Sequence, residues 1–195
     1  MAAEGKGNII RHTFSGCPLY SFGTVGNHYQ CETYNQNLDN FLLTIPKEVP
    51  LIIVNRNTHY IENKTVKFDG ETKSSQEYEI MFAQSYLKKV CALSKHHHVY
   101  IVRPIPEMDV NVPRSISHSL MFGRKIEDVS ISYTVYKKKN NIMLDILDQA
   151  SKACGIDILD ASEYLCKKGV CSGSKNLQPL YFDDNHLNER GNKIL

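Results

Sequence analysis

Two short runs of aliphatic residues constrain the fold more than any other feature of the sequence. Residues 50–55 (PLIIVN) and 98–102 (HVYIV) are rich in Val, Ile and Leu and lack polar alternation. Such runs are typical of parallel strands that are covered on both faces. Residues 156–159 (IDIL) and 8–14 (NIIRHTF) also have strand-like composition. The chain is therefore predicted to contain a sheet of buried strands.

Helical patterns separate these strands. Residues 36–45 form a short amphipathic stretch, while residues 75–93 and 141–154 repeat apolar side chains at spacings of three and four. Gly155 follows the last of them and is expected to end that helix. The alternating order predicts an α/β fold, with a central parallel sheet, helices on both faces and right-handed crossovers. Because no internal repeat or linker interrupts it, residues 1–195 are interpreted as one domain.

Charge and hydropathy exclude several classes of function. The 195 residues contain 23 Lys and Arg against 21 Asp and Glu, so no excess of cations supports binding to nucleic acid. The apolar runs are far shorter than the roughly 20 residues that cross a bilayer. The first twenty residues lack the continuous apolar segment of an export signal. We expect a soluble chain with no export signal of its own.

Six cysteines favour disulfides in an oxidising compartment, although the sequence alone does not fix their connectivity. Two local pairs stand out. Cys17 and Cys31 bracket a polar loop, and Cys166 and Cys171 bracket a four-residue turn. Cys91 lies among apolar neighbours in a helical pattern and is interpreted as a buried thiol. The spacing does not match a zinc site, so no metal is predicted.

A proline-rich segment, residues 103–129, interrupts the alternation of strands and helices. Its first eleven residues contain Pro104, Pro106 and Pro113, which predicts that the segment forms no regular helix. It follows a strand directly, at the place where open α/β sheets have their ligand crevice. A rigid surface excursion and a loop that shapes the site are both compatible with this pattern.

The strongest local signal is the C-terminal run at residues 181–191 (YFDDNHLNERG). Asp183 and His186 are three residues apart at a predicted helix start, so one turn brings their side chains together. A carboxylate beside an imidazole orients the ring and stabilises its protonated form, as in a hydrolytic triad. Asp184 is instead expected to cap a helix that begins at Leu187. A capping aspartate followed by an exposed histidine is the alternative interpretation.

This run resembles the last block of the SGNH (GDSL-like) hydrolases, in which Asp-x-x-His supplies the acid and base of the triad. The resemblance is greater to SGNH domains attached to the C-terminus of family 3 membrane acyltransferases, which O-acylate cell-surface polysaccharides. Other patches follow the order of that family and together span almost the whole chain: residues 15–18 (SGCP) with Cys31, residues 50–56, residues 103–107 with residues 111–113, and residues 164–166 (YLC) with Cys171 and residues 179–183.

The resemblance implies a three-layer α/β/α, flavodoxin-like fold around a parallel sheet. It also implies acyl-ester transfer or hydrolysis on cell-surface carbohydrate, with His186 as general base and Asp183 orienting it. A membrane acyltransferase domain would deliver the acyl donor, carbohydrate would accept the acyl group, and no cofactor is implied. The expected location is the periplasmic side of the bacterial inner membrane, as part of a larger membrane protein. In that setting Cys166–Cys171 and Cys17–Cys31 are the expected disulfides.

The sequence departs from this family in its nucleophile. No Gly-Asp-Ser, the block that ends the family's first strand, occurs in the chain, and Ser15, Ser21, Ser172 and Ser174 have other surroundings. We therefore expect a domain that lacks its first strand and is inactive as it stands. A non-catalytic remnant, with a glycan-binding or structural role, is the alternative.

The Gly-x-Asn-Asp block of the family is absent as well, which leaves the residues that hold the substrate open. Asn55, Arg56 and Asn57 follow a predicted strand and face the expected crevice, where Arg56 suits an anionic or sugar oxygen and the amides suit an oxyanion. A structural ion pair is the alternative for Arg56. The backbone N–H of Gly16 is a further oxyanion candidate. Residues 96–98 (HHH) run into a strand, whose side chains alternate in direction, and are not expected to bind metal.

Overall fold

The computed structural model describes residues 8–25, 30–68 and 74–195. Helices occupy Gln30–Leu42 (α1), Asn57–Glu62 (α2), Ser75–Ser94 (α3), Val112–Met121 (α4), Tyr133–Cys154 (α5), Ser162–Leu165 (α6) and Glu189–Asn192 (α7). Strands occupy Thr24–Val25 (β1), Leu51–Ile53 (β2), Val66–Lys67 (β3), Val99–Val102 (β4), Ser130–Ser132 (β5), Asp157–Leu159 (β6), Cys166–Lys167 (β7), Val170–Ser172 (β8), Ser174–Lys175 (β9) and Gln178–Pro179 (β10). Within these ranges, no helix is long and apolar enough to cross a membrane.

The central sheet is parallel, with strand order β2-β4-β6. Ile53, Ile101 and Ile158 lie side by side in its register. Each strand falls within one of the runs with strand-like composition, although Ile52 and Val54 stay exposed on one face of the sheet. The predicted α/β class with a central parallel sheet is therefore confirmed.

One face of this sheet carries the main hydrophobic core. Val99 and Ile101 of β4 pack in one cluster with Val90 of α3 and Leu147 of α5, and all four are almost fully buried. The other face is different. Ile52 and Val54 remain 64% and 69% exposed on that face, at the edge of the sheet.

The two long helices differ in how well the sequence predicted them. Helix α3 begins where expected and ends one residue later, and Ser74 caps its start with a capping box to Glu77. Helix α5 ends at Gly155 in the left-handed conformation, as predicted, but it begins eight residues earlier than expected, where Ser132 accepts a hydrogen bond from the Val135 N–H. Helix α1 begins six residues earlier than expected and ends three residues earlier.

The predicted strand at residues 8–14 is wrong. These residues have no regular secondary structure, and Ile9 and Ile10 are largely exposed. A strand is stable only when it pairs with a neighbour, and β2, β4 and β6 form no pair with this segment. The β-type composition of residues 8–14 is therefore not sufficient by itself to form a strand.

All six cysteines form disulfides. Cys17–Cys31 and Cys166–Cys171 agree with the expected pairs. The interpretation of Cys91 as a free buried thiol is wrong, because Cys91 pairs with Cys154 and joins the end of α3 to the end of α5. The two helices pack against each other, and the Cα atoms of this pair lie 5.3 Å apart.

A second hydrophobic cluster lies beside the central sheet. It includes Met108, Val112, Ile131, Cys171 and Tyr181, which come from the proline-rich segment, the antiparallel sheet β5-β8-β7 and the C-terminal run. This cluster fixes the C-terminal run against the proline-rich segment.

Candidate functional site

The segment from Tyr181 to Leu187 forms a tight loop. Tyr181 and Leu187 form an antiparallel bridge, and the Phe182 N–H donates to the His186 carbonyl at 2.7 Å. Within the loop, Asp183 Oδ1 accepts the backbone N–H groups of Asn185 and His186, at 2.9 and 2.8 Å. An aspartate that accepts backbone N–H groups two and three residues ahead is a common way to stabilise a turn. The aspartate therefore shapes the loop that presents the histidine.

The second oxygen of the same carboxylate holds the imidazole. Asp183 Oδ2 lies 2.8 Å from His186 Nδ1, as the three-residue spacing predicted. Partial burial acts to raise the pKa of Asp183, but the hydrogen bonds from Asn185 and His186 outweigh it and lower this pKa to about 2. The carboxylate thus stays ionised and favours the tautomer with a proton on Nδ1, which leaves Nε2 as the basic nitrogen. The His186 side chain is 71% exposed, so the rest of the ring faces solvent.

Backbone hydrogen bonds dock this loop on the proline-rich segment. The N–H groups of Met108 and Val112 donate to the carbonyls of Asp184 and Asp183, at 2.7 and 3.0 Å. The buried Tyr181 hydroxyl donates to the Pro106 carbonyl at 2.6 Å. The proline-rich segment was interpreted either as a rigid surface excursion or as a loop that shapes the site, and these contacts fit the second interpretation.

The prediction that residues 103–129 form no regular helix is wrong in part. Helix α4 begins at Val112, and Asn111 caps it by accepting the Arg114 N–H. Pro113 lies in the first turn, where no intrahelical partner exists for its missing N–H, so it does not disturb the helix. Pro104 and Pro106 precede the helix.

Arg56 lies close to the same loop but is held by a carboxylate. Its Nε and Nη2 donate to the two oxygens of Glu107 at 2.6 and 2.7 Å, and Lys139 Nζ donates to the same carboxylate at 2.9 Å. Burial raises the pKa of Glu107, but the two cations outweigh it and the net shift is downward. The pKa of Arg56 is raised chiefly by its hydrogen bond to Glu107, and the charge of Asp184 makes a smaller contribution in the same direction. The structural ion pair considered for Arg56 is thus present.

The remaining substrate candidates are not gathered beside His186. Asn57 is buried at the start of α2. Asn55 is half-buried after β2. Gly16 lies in an exposed turn next to the Cys17–Cys31 disulfide. Among the described residues, no hydrogen bond joins that turn to the loop at Asp183.

No serine partner for the imidazole lies within residues 8–25, 30–68 and 74–195. Every serine of the chain falls in these ranges, and none of their hydroxyls is hydrogen-bonded to His186. Ser174, for example, is buried and donates to Asp128 Oδ1. The same ranges contain no group of three His, Cys, Asp or Glu side chains placed to hold a metal ion. His97 and His98 have separate partners, the Val49 carbonyl and Asp157.

Two features of the site were not foreseen from the sequence. Asp184 does not cap the last helix, which begins at Glu189 rather than Leu187; Asn188 caps it by accepting the Gly191 N–H at 3.0 Å. The roles of Glu107 and Lys139 were also missed. An acidic residue just beyond β4, the strand that pairs with β2, is the signal that could have indicated a partner for Arg56.

Comparison with known proteins connects this geometry to a family. A family model described as SGNH domain (fused to AT3 domains) matches residues 1–195. The fold is similar to the solved periplasmic domain of a lipopolysaccharide acetyltransferase from Salmonella ser. Paratyphi A, at 16% identity and a TM-score of 0.58. The similarity covers 92% of this chain and 66% of that one, so the chain spans about two thirds of the solved domain. Among curated proteins, none matches the chain.

Proposed function

Because the chain belongs to the family of SGNH domains fused to AT3 domains, we propose that it serves acyl-ester transfer to cell-surface carbohydrate. The acyl donor comes from a membrane acyltransferase domain, and the site works on the periplasmic side of the membrane. The observation that carries this proposal is the 2.8 Å contact between Asp183 Oδ2 and His186 Nδ1, in a loop docked beside the carboxyl ends of the parallel strands. That edge of an open α/β sheet is where such folds bind ligands.

The proposed chemistry needs a serine hydroxyl and a basic histidine nitrogen. His186 Nε2 takes the hydroxyl proton as the serine oxygen attacks the acyl carbonyl, and the protonated ring then gives that proton to the leaving group. In the second half, a sugar hydroxyl gives its proton to Nε2 and attacks the acyl-enzyme. The serine oxygen leaves and recovers a proton from the ring. Asp183 keeps the ring oriented and stabilises its positive charge in both halves.

The open edge of the central sheet supports the proposal that the serine lies on a further strand beside β2. The outer edge of β2 pairs with no other strand in the part of the chain that the structure describes, and Ile52 and Val54 are exposed beside it. Parallel sheets are normally covered on both faces, so this edge suits a further apolar strand with a helix after it. Such a strand would end near Arg56, which is linked through Glu107 to the segment that docks the histidine loop.

We propose accordingly that residues 1–195 alone have little or no esterase activity. The competing function is a non-catalytic domain that keeps the fold and a glycan-binding or structural role. It is favoured by one observation: no serine of the chain is hydrogen-bonded to His186.

The two proposals are separated by turnover of an aryl acetate. We expect the longer protein, with its acyltransferase domain and a serine-bearing strand, to hydrolyse the ester, and residues 1–195 to be at least about a thousandfold slower, since a triad member is missing. In the longer protein, His186→Ala is expected to abolish turnover and Asp183→Asn to reduce it strongly. Asp184→Asn, the matched control, is expected to affect mainly stability. Unchanged turnover with His186→Ala would contradict the assignment, and an inactive longer protein would favour the non-catalytic role.

A further inference from the structure

The end of helix α4 carries exposed apolar side chains that do not pack into either hydrophobic cluster of the described part of the protein. Leu120, Met121 and Phe122 follow one another in the sequence and are 59%, 79% and 60% exposed. Consecutive exposed residues of this size are uncommon on a soluble surface and mark sites of interaction. Gly123 then turns the chain in the left-handed conformation, so these side chains project from the end of a helix.

Cations follow the apolar residues directly. The Arg124 guanidinium lies 5.7 Å from the centre of the Phe122 ring, and Lys125 is 85% exposed. The ion pair of Lys125 with Glu127, at 2.5 Å, joins two exposed side chains and is therefore weak in water. Apolar side chains next to Arg and Lys match the boundary of an anionic bilayer, where hydrocarbon lies below negatively charged phosphates.

We propose that Leu120, Met121, Phe122, Arg124 and Lys125, here called the 120–125 tip, dock on an anionic lipid surface. The three apolar side chains enter the boundary between headgroups and acyl chains, and the two cations contact lipid phosphates. A second copy of the chain fits this patch less well, because three side chains supply far less than the roughly 800 Å² per partner of a stable protein interface. Membrane attachment needs only a few apolar anchors and a basic patch.

Docking through the tip would also set the height of the histidine loop above the membrane. The first residue of α4, Val112, donates its N–H to the Asp183 carbonyl at 3.0 Å. The helix has 10 residues, which at 1.5 Å per residue separates the tip from that contact by about 15 Å. The loop would thus remain within one helix length of the lipid surface. Lipid binding itself does not depend on the proposed acyl transfer.

Vesicle binding by the 195-residue chain tests the proposal. We expect the chain to co-sediment with vesicles of phosphatidylethanolamine and phosphatidylglycerol, and the variant L120S/M121S/F122S to bind at least about tenfold more weakly. Arg124→Gln with Lys125→Gln is expected to weaken binding several-fold and to remove most of its salt dependence. Leu43→Ser is the matched control, since Leu43 is also 79% exposed but follows the end of a different helix, α1, and its binding should equal that of the wild type.

A fluorescent reporter gives an independent readout, because the chain contains no tryptophan. The emission of Phe122→Trp is expected to shift to the blue when these vesicles are added, whereas that of Leu43→Trp is expected to stay unchanged. Wild-type protein that stays in solution, or a triple variant that binds as tightly as wild type, would overturn the proposal. Equal binding to neutral phosphatidylcholine vesicles would do the same. A blue shift that needs the acyltransferase domain instead of lipid would identify a protein contact and refute lipid docking.

Discussion

Replacing Gly191 with alanine tests how tightly the last helix holds the histidine loop. A Cβ atom at this position would overlap the Leu180 carbonyl oxygen and lie 2.9 Å from Leu187 Cδ2. Both residues flank the loop that carries Asp183 and His186. The main obstacle is backbone, so a side-chain rotation cannot relieve the overlap, and α7 must move away from the loop.

The cost follows from two contributions. Overpacking of this kind typically destabilises by about 1–3 kcal/mol. The displaced Leu180 carbonyl also accepts the Asn188 N–H at 3.0 Å, and weakening that hydrogen bond adds about 1 kcal/mol. We therefore expect Gly191→Ala to lower the free energy of unfolding by about 2–4 kcal/mol, which lowers Tm by about 5–15 °C for a chain of this size.

Urea denaturation followed by circular dichroism, with the disulfides intact, measures this change. Asn192→Ala is the matched control, because residue 192 lies on the same short helix but is exposed, and its effect is expected to stay within about 0.5 kcal/mol. If Gly191→Ala proved as stable as the control, the packing of α7 against the loop would be wrong.

Three further predictions concern charge and covalent links. The pKa of Asp183 is lowered to about 2 in the folded protein and returns to its ordinary value of about 3.9 on unfolding, so its stabilisation is complete above that value and is lost as pH falls toward 2. As the pH falls over this range, Asp183→Asn should therefore lose less stability than the wild type, by about 1–2 kcal/mol after allowing for solvent screening. Urea denaturation at each pH measures the two losses, and equal losses in both proteins would contradict the assignment. Replacing Cys91 and Cys154 together by serine should cost about 2–4 kcal/mol, because the disulfide closes a sequence separation of 63 residues; a loss below about 1 kcal/mol in urea would argue against the pair. Glu107→Gln should lower the free energy of unfolding by about 1–3 kcal/mol, since it leaves two cations without their carboxylate, and thermal melts that match the wild type would exclude this role.

What the sequence predicted well depends on local pattern. The strands of the central sheet were found because short runs of Val, Ile and Leu favour strands, although Ile52 and Val54 stay exposed on one face instead of being covered as expected. The contact between Asp183 and His186 was predicted from their three-residue spacing, although the two residues lie in a tight loop stabilised by Asp183 and not at the helix start that the prediction assumed. Both features are determined within a few residues of the chain.

What the sequence did not predict depends on contacts between distant segments. Arg56 and Glu107 are 51 residues apart, and only the parallel pairing of β2 with β4 brings their segments together. Cys91 and Cys154 look like ordinary helix residues until α3 and α5 pack. Residues 8–14 have the composition of a strand but pair with no neighbouring strand, so propensity alone was misleading there.

The proposed acyl transfer rests on a serine that His186 activates from a strand beside β2. Labelling of the longer protein with a fluorophosphonate, followed by peptide mass spectrometry, locates that serine directly. We expect one labelled serine, on a strand that pairs with Leu51–Ile53, and loss of labelling with His186→Ala but not with Asp184→Asn. Labelling of Ser15 or Ser172, or labelling that persists in His186→Ala, would contradict this account of the site.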